Sequence, residues 1–234
     1  MAIKGRIGTA AYWLVALASS AAAAAMLAWY TPTEATMGPI QKIFYLHLPV
    51  AINTMLACTV VFVGSVGYLW HRHMAWDDLA SAAAKVAVLA GLVVLVTGMI
   101  WARSAWGVWW TWSPRLTFTL MLWLLYVVYV IVRPAVQSPE RRALVSAVYG
   151  IVAFLDVPLA YFAAKLMPDI HPASIELSAS MKLTMAVWFV PVTMLCAGLV
   201  FARYRLNARE RALAADPEWA PSGAAKPNVA EGMT

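Results

Sequence analysis

Long apolar segments constrain this sequence more than any other feature. A helix needs about 20 residues to cross a bilayer, because it rises about 1.5 Å per residue and the hydrocarbon core is about 30 Å thick. Runs of this length and composition recur along the 234 residues. They cover approximately 11–30, 46–70, 82–102, 117–133, 143–164 and 181–202. The sequence therefore predicts an all-α, polytopic membrane protein, a bundle of six transmembrane helices.

The composition agrees with this interpretation and limits what lies outside the bilayer. Hydrophobic residues make up 63% of the chain and charged residues only 12%, against about 25% charged in an average soluble domain. Short connections between the spans leave no room for a soluble catalytic domain. We expect one transmembrane domain over residues 1–208. The stretch 209–234, rich in Ala, Pro and charge, is predicted to be a disordered cytoplasmic tail.

The basic residues predict the orientation, because Lys and Arg near helix ends are retained in the cytoplasm. An even number of spans places both termini on one side. That side holds 12 basic residues and the other holds 5. The first set is Lys4, Arg6, Arg72, Lys85, Arg133, Arg141, Arg142, Arg203, Arg205, Arg209, Arg211 and Lys226, and the second is Lys42, Arg103, Arg115, Lys165 and Lys182. Both termini are therefore predicted to be cytoplasmic, and the positive charge gives no support for binding nucleic acid.

A tryptophan-rich segment, WGVWWTWSPRLT, follows the third predicted span. Its tryptophans are Trp106, Trp109, Trp110 and Trp112. Pro114 disfavours helix at Ser113, so we expect an interfacial loop over 103–116. Single tryptophans such as Trp29, Trp70, Trp101 and Trp188 fit a membrane-interface anchor, because the indole ring is apolar and its N–H is polar. Four together predict a shelf for a large planar ligand, with a dense interfacial belt as the alternative.

Two arginines, Arg103 and Arg115, flank this segment. A guanidinium group pairs bidentately with carboxylates. The propionates of a porphyrin are carboxylates, so both arginines are candidate clamps for such a ligand. Contact with a lipid phosphate is the alternative for each.

Two histidines are predicted on the same outer side as the tryptophans. They are His47 in FYLHLP and His171 in PDIHP. Imidazole is a frequent axial ligand of haem iron, and these two come from distant parts of the chain, so they could approach one metal from opposite sides. The alternative is that each is an ordinary polar surface residue.

Asp156 lies well inside the fifth predicted span, where an ionisable side chain is costly. Pro158 follows it and releases an upstream backbone carbonyl from the helix ladder. We expect Asp156 to hold a kinked helix by hydrogen bonding to a neighbour or to be protonated, with a part in ligand or proton transfer as the alternative. The two cysteines, Cys58 and Cys196, form no CxxC or CxxCH motif, so the chain is not itself a c-type cytochrome.

The motif WGVWWTW followed by PRLT resembles the tryptophan-rich signature of the haem-handling family of cytochrome c biogenesis. FYLHLPVA before it and a second outer histidine after it are also similar to that family, and the similarity covers roughly residues 40–190. The family signature usually ends in Trp-Asp, whereas here Trp112 is followed by Ser113.

This resemblance implies a protein of the bacterial inner membrane that holds haem b transiently, as cargo, on the periplasmic side. It implies that His47 and His171 bind the iron and that the four tryptophans form the platform, with Arg115 in the matching basic position. The implied partners are an ABC-type ATPase subunit, further membrane subunits and a periplasmic haem chaperone.

Two other functions remain open at this stage. One is a b-type electron-transfer subunit with bis-histidine haem, and the other is a transporter or scaffold without a cofactor. The few acidic residues predicted outside, Glu34, Asp169 and Glu176, show no spacing of a nucleophile and a base. We therefore expect no enzyme, and any bond formation between haem and chaperone would be promoted by positioning.

Overall fold

The computed structural model describes residues 2–166 and 176–215 of the chain. The described part contains seven α-helices and no named β-strand. They are α1 (Ala2–Ala25), α2 (Phe44–His71), α3 (Met74–Trp106), α4 (Pro114–Val132), α5 (Pro139–Phe154), α6 (Asp156–Leu166) and α7 (Ala179–Ala214). A π-helical turn at Met26–Tyr30 extends α1, and 3₁₀ turns at Pro39–Ile43 and Arg133–Ala135 precede α2 and follow α4.

Six helical segments of the described chain are long and apolar enough to cross a membrane. They are Gly8–Tyr30, Pro39–His71, Met74–Trp106, Pro114–Ala135, Pro139–Ala163 and Ala179–Ala214. The predicted all-α, six-span fold is confirmed. The fifth of these segments combines α5 and α6, which are separated by a turn at Leu155.

Two helices extend beyond their predicted boundaries at one end of the bundle. The third begins at Met74 instead of 82, because His73 accepts a hydrogen bond from the Ala75 amide and caps the helix. The last continues to Ala214, past the expected end at 202 and into the predicted tail. Its extra turns are rich in Arg, Glu, Leu and Ala, which favour helix. The residues after 215 lie outside the described part.

Helices α2 and α3 form an antiparallel pair at the centre of the bundle. Close contacts pair Gly64 with Ala80 near one end and His47 with Gly98 near the other. Small residues allow this approach: a Cβ atom on Gly64 would lie 3.0 Å from both the Ala80 Cβ and the Trp76 carbonyl oxygen. The main apolar core lies between this pair, α4 and α5, and includes Cys58, Val61, Ala83, Ala84, Leu122, Tyr126, Tyr129 and Ala153.

Ion pairs join the helices at the end of the bundle where α3 begins, which we call the ion-pair end. Arg133 donates two hydrogen bonds to the Asp77 carboxylate, at 2.8 and 2.7 Å, with both side chains largely buried. Arg211 of α7 lies 2.7 Å from Asp78, and the Asn207 amide donates to the Asp78 carbonyl at 2.9 Å. These contacts fix α4 and α7 to the first turn of α3.

Asp156 begins α6 directly after the turn at Leu155, so the break that Pro158 predicts is present. The side chain is only 3% exposed. Neither carboxylate oxygen has a hydrogen-bond partner among the described residues, so the neighbour that was expected to hold the kink is not seen there. Pro158 favours the break, because it cannot donate to an upstream carbonyl.

Candidate functional site

Gly107 ends α3 and turns the chain into the tryptophan-rich segment. Its φ of 77° is in the left-handed region, which glycine adopts without a Cβ clash. The Gly107 amide donates to the Arg103 carbonyl at 3.1 Å, and the Arg103 guanidinium donates to the Gly107 carbonyl. Helix resumes at Pro114, so the expected interruption is present, although Trp106 still belongs to α3.

The indole rings of this segment meet edge to face. Trp106 packs on Trp101 with ring centroids 5.1 Å apart and planes at 72°, and Trp110 packs on Trp112 at 5.9 Å and 79°. This geometry suits aromatic pairs, because a positive ring edge meets a negative face. The rings therefore build angled walls and not the flat shelf that the sequence suggested. Trp112 is 76% exposed on the outside of these walls.

A cavity opens beside these walls and runs into the bundle between α2, α3 and α4. It holds about 1290 Å³ of empty space, a volume that includes the open solvent at its mouth. Along α3 it extends from Trp106 to Ala87, about 28 Å at 1.5 Å per residue. Its walls are mostly apolar, with His47 and Arg115 among the few polar residues.

His47 lies in the first turn of α2 and contacts α3 with one edge of its ring. Its Nδ1 atom is 2.8 Å from the Thr97 hydroxyl. A Cβ atom on Gly98 would lie 3.3 Å from the His47 Cε1 atom, so a larger residue would crowd the ring. Nε2 is the other ring nitrogen, and a histidine that binds metal through one nitrogen commonly engages the other in a hydrogen bond.

The structure brings together most of the residues that the sequence selects. The cavity wall contains His47, Trp106, Trp109, Trp110 and Arg115. It does not contain Trp112 or Arg103, whose guanidinium instead contacts the end of α3. His171 lies outside the described residues, so its position as a ligand stays a prediction.

Buried polar atoms without partners accumulate in the tryptophan-rich segment. Trp110 Nε1, Thr111 Oγ1 and Ser113 Oγ are buried and make no hydrogen bond with any described residue. An unsatisfied buried polar group costs about 1–3 kcal/mol. Of these three residues only Trp110 lines the cavity, so its indole N–H is the candidate donor to a carboxylate ligand.

Several residues of the site were not identified from the sequence. Thr97 and Gly98, which contact His47, look like ordinary residues of an apolar helix. Trp101 was interpreted as an interfacial anchor, but it is buried and lines the cavity. Spacing gave no signal of its contact with Trp106, because five residues place two side chains about 140° apart around a straight helix.

Comparison with known proteins gives one consistent family. A family model described as Heme exporter protein C matches residues 1–218. The chain is 32% identical over 213 residues to Heme exporter protein C of Paracoccus denitrificans. This alignment covers 87% of this chain and 88% of that protein.

More distant relatives carry the same description. The protein from Bradyrhizobium diazoefficiens is 32% identical over 78% of this chain and 73% of its own length. The one from Escherichia coli K12 is 28% identical over 64% of this chain and 62% of its own length. The similarity therefore spans both the tryptophan-rich segment and the helices around it.

Proposed function

The chain belongs to the Heme exporter protein C family, and we propose that it is a haem-handling membrane subunit of cytochrome c biogenesis that binds haem in the cavity beside Trp106 and Trp110. The observation that carries this proposal is the cavity shared by His47, Arg115 and the tryptophans Trp106, Trp109 and Trp110 of the tryptophan-rich segment. Among the described residues no group of three His, Cys, Asp or Glu could hold a bare metal ion. Haem iron needs only one or two protein ligands, so the single imidazole fits.

The cavity walls match the two chemical parts of haem. The apolar macrocycle would pack against the indole rings and the aliphatic residues of α2 and α3. Such burial contributes on the order of several kcal/mol at about 25 cal/mol per Å². Arg115 and the indole N–H of Trp110, which both line the cavity, would provide polar partners for the propionates.

Two histidines would share the iron, His47 from the bundle and His171 from the connection before α7. His47 is fixed by its contacts with α3, whereas a carrier must be able to release its cargo. We therefore assign the leaving ligand to His171. A partner that binds one of the two states more tightly would bias this step.

The orientation and partners are proposed from the sequence and from the family resemblance. We place the tryptophan-rich segment on the periplasmic side of the bacterial inner membrane and both termini in the cytoplasm, from the distribution of Lys and Arg. An ABC-type ATPase subunit, further membrane subunits and a periplasmic haem chaperone are the proposed partners. The chain would transfer haem b to the chaperone by positioning it, without acting as an enzyme.

Purification from membranes of cells supplied with ample haem tests this proposal. We expect a coloured protein with a haem absorbance spectrum, together with an ATPase subunit and a haem chaperone identified by mass spectrometry. The His171→Ala variant should bind haem less tightly and lose it faster to added apo-chaperone. A colourless wild-type protein would contradict the proposal. A coloured protein that exchanges electrons rapidly with quinone but never transfers haem would favour the electron-transfer alternative.

A further inference from the structure

The contact between His47 and Thr97 determines more than the position of the ring. The Thr97 hydroxyl lies 2.8 Å from His47 Nδ1, and it also lies 2.7 Å from the Val93 carbonyl oxygen and 3.2 Å from that of Val94. These three neighbours compete for one hydroxyl proton. A carbonyl oxygen can only accept, whereas a neutral imidazole nitrogen can either accept or donate.

The hydroxyl proton therefore goes to the backbone of α3. Its bond to Val93 is the helical i−4 bond that Thr commonly makes, and it leaves the lone pairs of Oγ1 to face His47. Nδ1 must then carry the ring proton and donate it to Thr97. In this tautomer Nε2 holds the lone pair that a metal requires.

We propose that Thr97 is a positioning residue, which holds His47 in the tautomer that presents Nε2 to the haem iron. This inference rests on the proposed function, because it assigns a role to the residue that contacts the proposed iron ligand, His47. Gly98 also helps to position the His47 ring. Because it has no side chain, the Cε1 edge of the ring can approach α3 while Nδ1 reaches the hydroxyl.

The chemical nature of the acceptor also suits a protein that releases haem. A carboxylate in this position would draw the Nδ1 proton strongly and make the imidazole a more basic, tighter ligand. A hydroxyl is a neutral and weaker acceptor, since charge-assisted hydrogen bonds are roughly twice as strong as neutral ones. Thr97 therefore orients His47 without strengthening its hold on iron as much as an acidic residue would.

Paired variants of Thr97 test the role of the hydroxyl. Thr97→Val keeps the branched shape but removes the acceptor, and we expect haem binding to weaken about 10-fold or more, since loss of an orienting partner typically costs about 10–100-fold in metal affinity. The reduction potential of the bound haem should rise, because a less basic imidazole stabilises ferric iron less. Thr97→Ser should restore both values. The matched control is Thr59→Val, which removes the same type of i−4 bond, to Met55, and should change neither.

Nitrogen-15 NMR of the haem-free protein reads the tautomer directly. The wild type should show His47 protonated at Nδ1, and Thr97→Val should show a mixture of tautomers.

The outcomes separate this inference from the proposed function. If Thr97→Val keeps the wild-type affinity, potential and tautomer while His47→Ala loses haem, the role of Thr97 is wrong and the function stands. Equal losses in Thr97→Val and Thr97→Ser would also overturn it, since Ser retains the acceptor. If His47→Ala binds haem with wild-type affinity, His47 is not an iron ligand, and the ligation stated in the proposed function is wrong.

Discussion

The two ends of the bundle differ in what lies between their helices. At the ion-pair end, the carboxylates of Asp77 and Asp78 meet Arg133 and Arg211 within the chain. The tryptophan end is defined by residues 106–113. An apolar cavity opens beside them.

This difference indicates which end is built for stability and which for binding. Buried charges are tolerated when they are paired, and these pairs lock three helices together at one end. An open cavity is costly in an isolated protein, but a ligand can fill it. Variants at the two ends should therefore change different quantities.

The largest effect is expected at the ion-pair end. Arg133→Gln removes one partner of a buried pair and leaves Asp77 uncompensated, which should lower the free energy of unfolding by about 3–5 kcal/mol. Haem affinity of the protein that remains folded should not change. Thermal unfolding in detergent and haem titration measure the two quantities. Arg203→Gln, which breaks the more exposed pair with Glu210, is the control and should cost at most about 1 kcal/mol. Equal destabilisation by both variants would contradict this assignment.

The next largest effect is a difference in haem affinity between variants of the two flanking arginines. Arg115 lines the cavity, so Arg115→Gln should remove a hydrogen bond to a charged propionate, worth about 1.5–3 kcal/mol, and weaken haem binding at least 10-fold. Arg103→Gln should have a smaller effect, because its guanidinium contacts the Gly107 carbonyl. Haem titration of both variants provides the comparison. A larger loss in Arg103→Gln would mean that the ligand lies outside the cavity wall.

The sequence was a good guide to the elements whose signal is local. Six apolar runs gave the six spans, and Pro114 indicated the interruption between the third and the fourth, although α4 begins at Pro114 and not at 117. His47, Trp106, Trp109, Trp110 and Arg115 were selected by residue type and lie in one cavity wall.

What the sequence missed depends on packing between helices. Thr97 and Gly98 matter only because α3 lies antiparallel to α2 and brings them to His47. Trp101 was interpreted as an anchor because the predicted helix ended at 102, which concealed its contact with Trp106. Arg103 was paired with Arg115 by position, but a left-handed Gly107 turned the chain so that Arg103 caps the helix.

A smaller effect is expected from individual tryptophans. Trp110→Leu removes one aromatic wall and one donor, and an aromatic contact is worth about 0.5–1.5 kcal/mol beyond its buried area, so haem binding should weaken by about 10-fold. Trp29→Leu is the control, because Trp29 is 85% exposed and lies outside the cavity. Equal affinities of the two variants in a haem titration would show that the tryptophans serve only as an interfacial belt.

The smallest effect should come from Gly98→Ala. The added Cβ atom would lie 3.3 Å from His47 Cε1, so the ring must move by a few tenths of an ångström. We expect a shift of the haem absorbance band and a loss of affinity of only a few-fold, because a small movement of the ring relieves the contact. Gly8→Ala is the control, because its Cβ atom would meet nothing within 4 Å. An unchanged spectrum in Gly98→Ala would show that the ligand does not sense the His47 ring.

Haem titration of His47→Ala beside His71→Ala tests the central claim most directly. His71 is exposed at the ion-pair end, where its ring stacks between Trp70 and Trp76. We expect His71→Ala to bind haem as the wild type does. His47→Ala should bind more than roughly 100-fold more weakly, beyond the 10–100-fold that is typical when a residue only orients a ligand. Wild-type affinity and absorbance in His47→Ala would contradict the account.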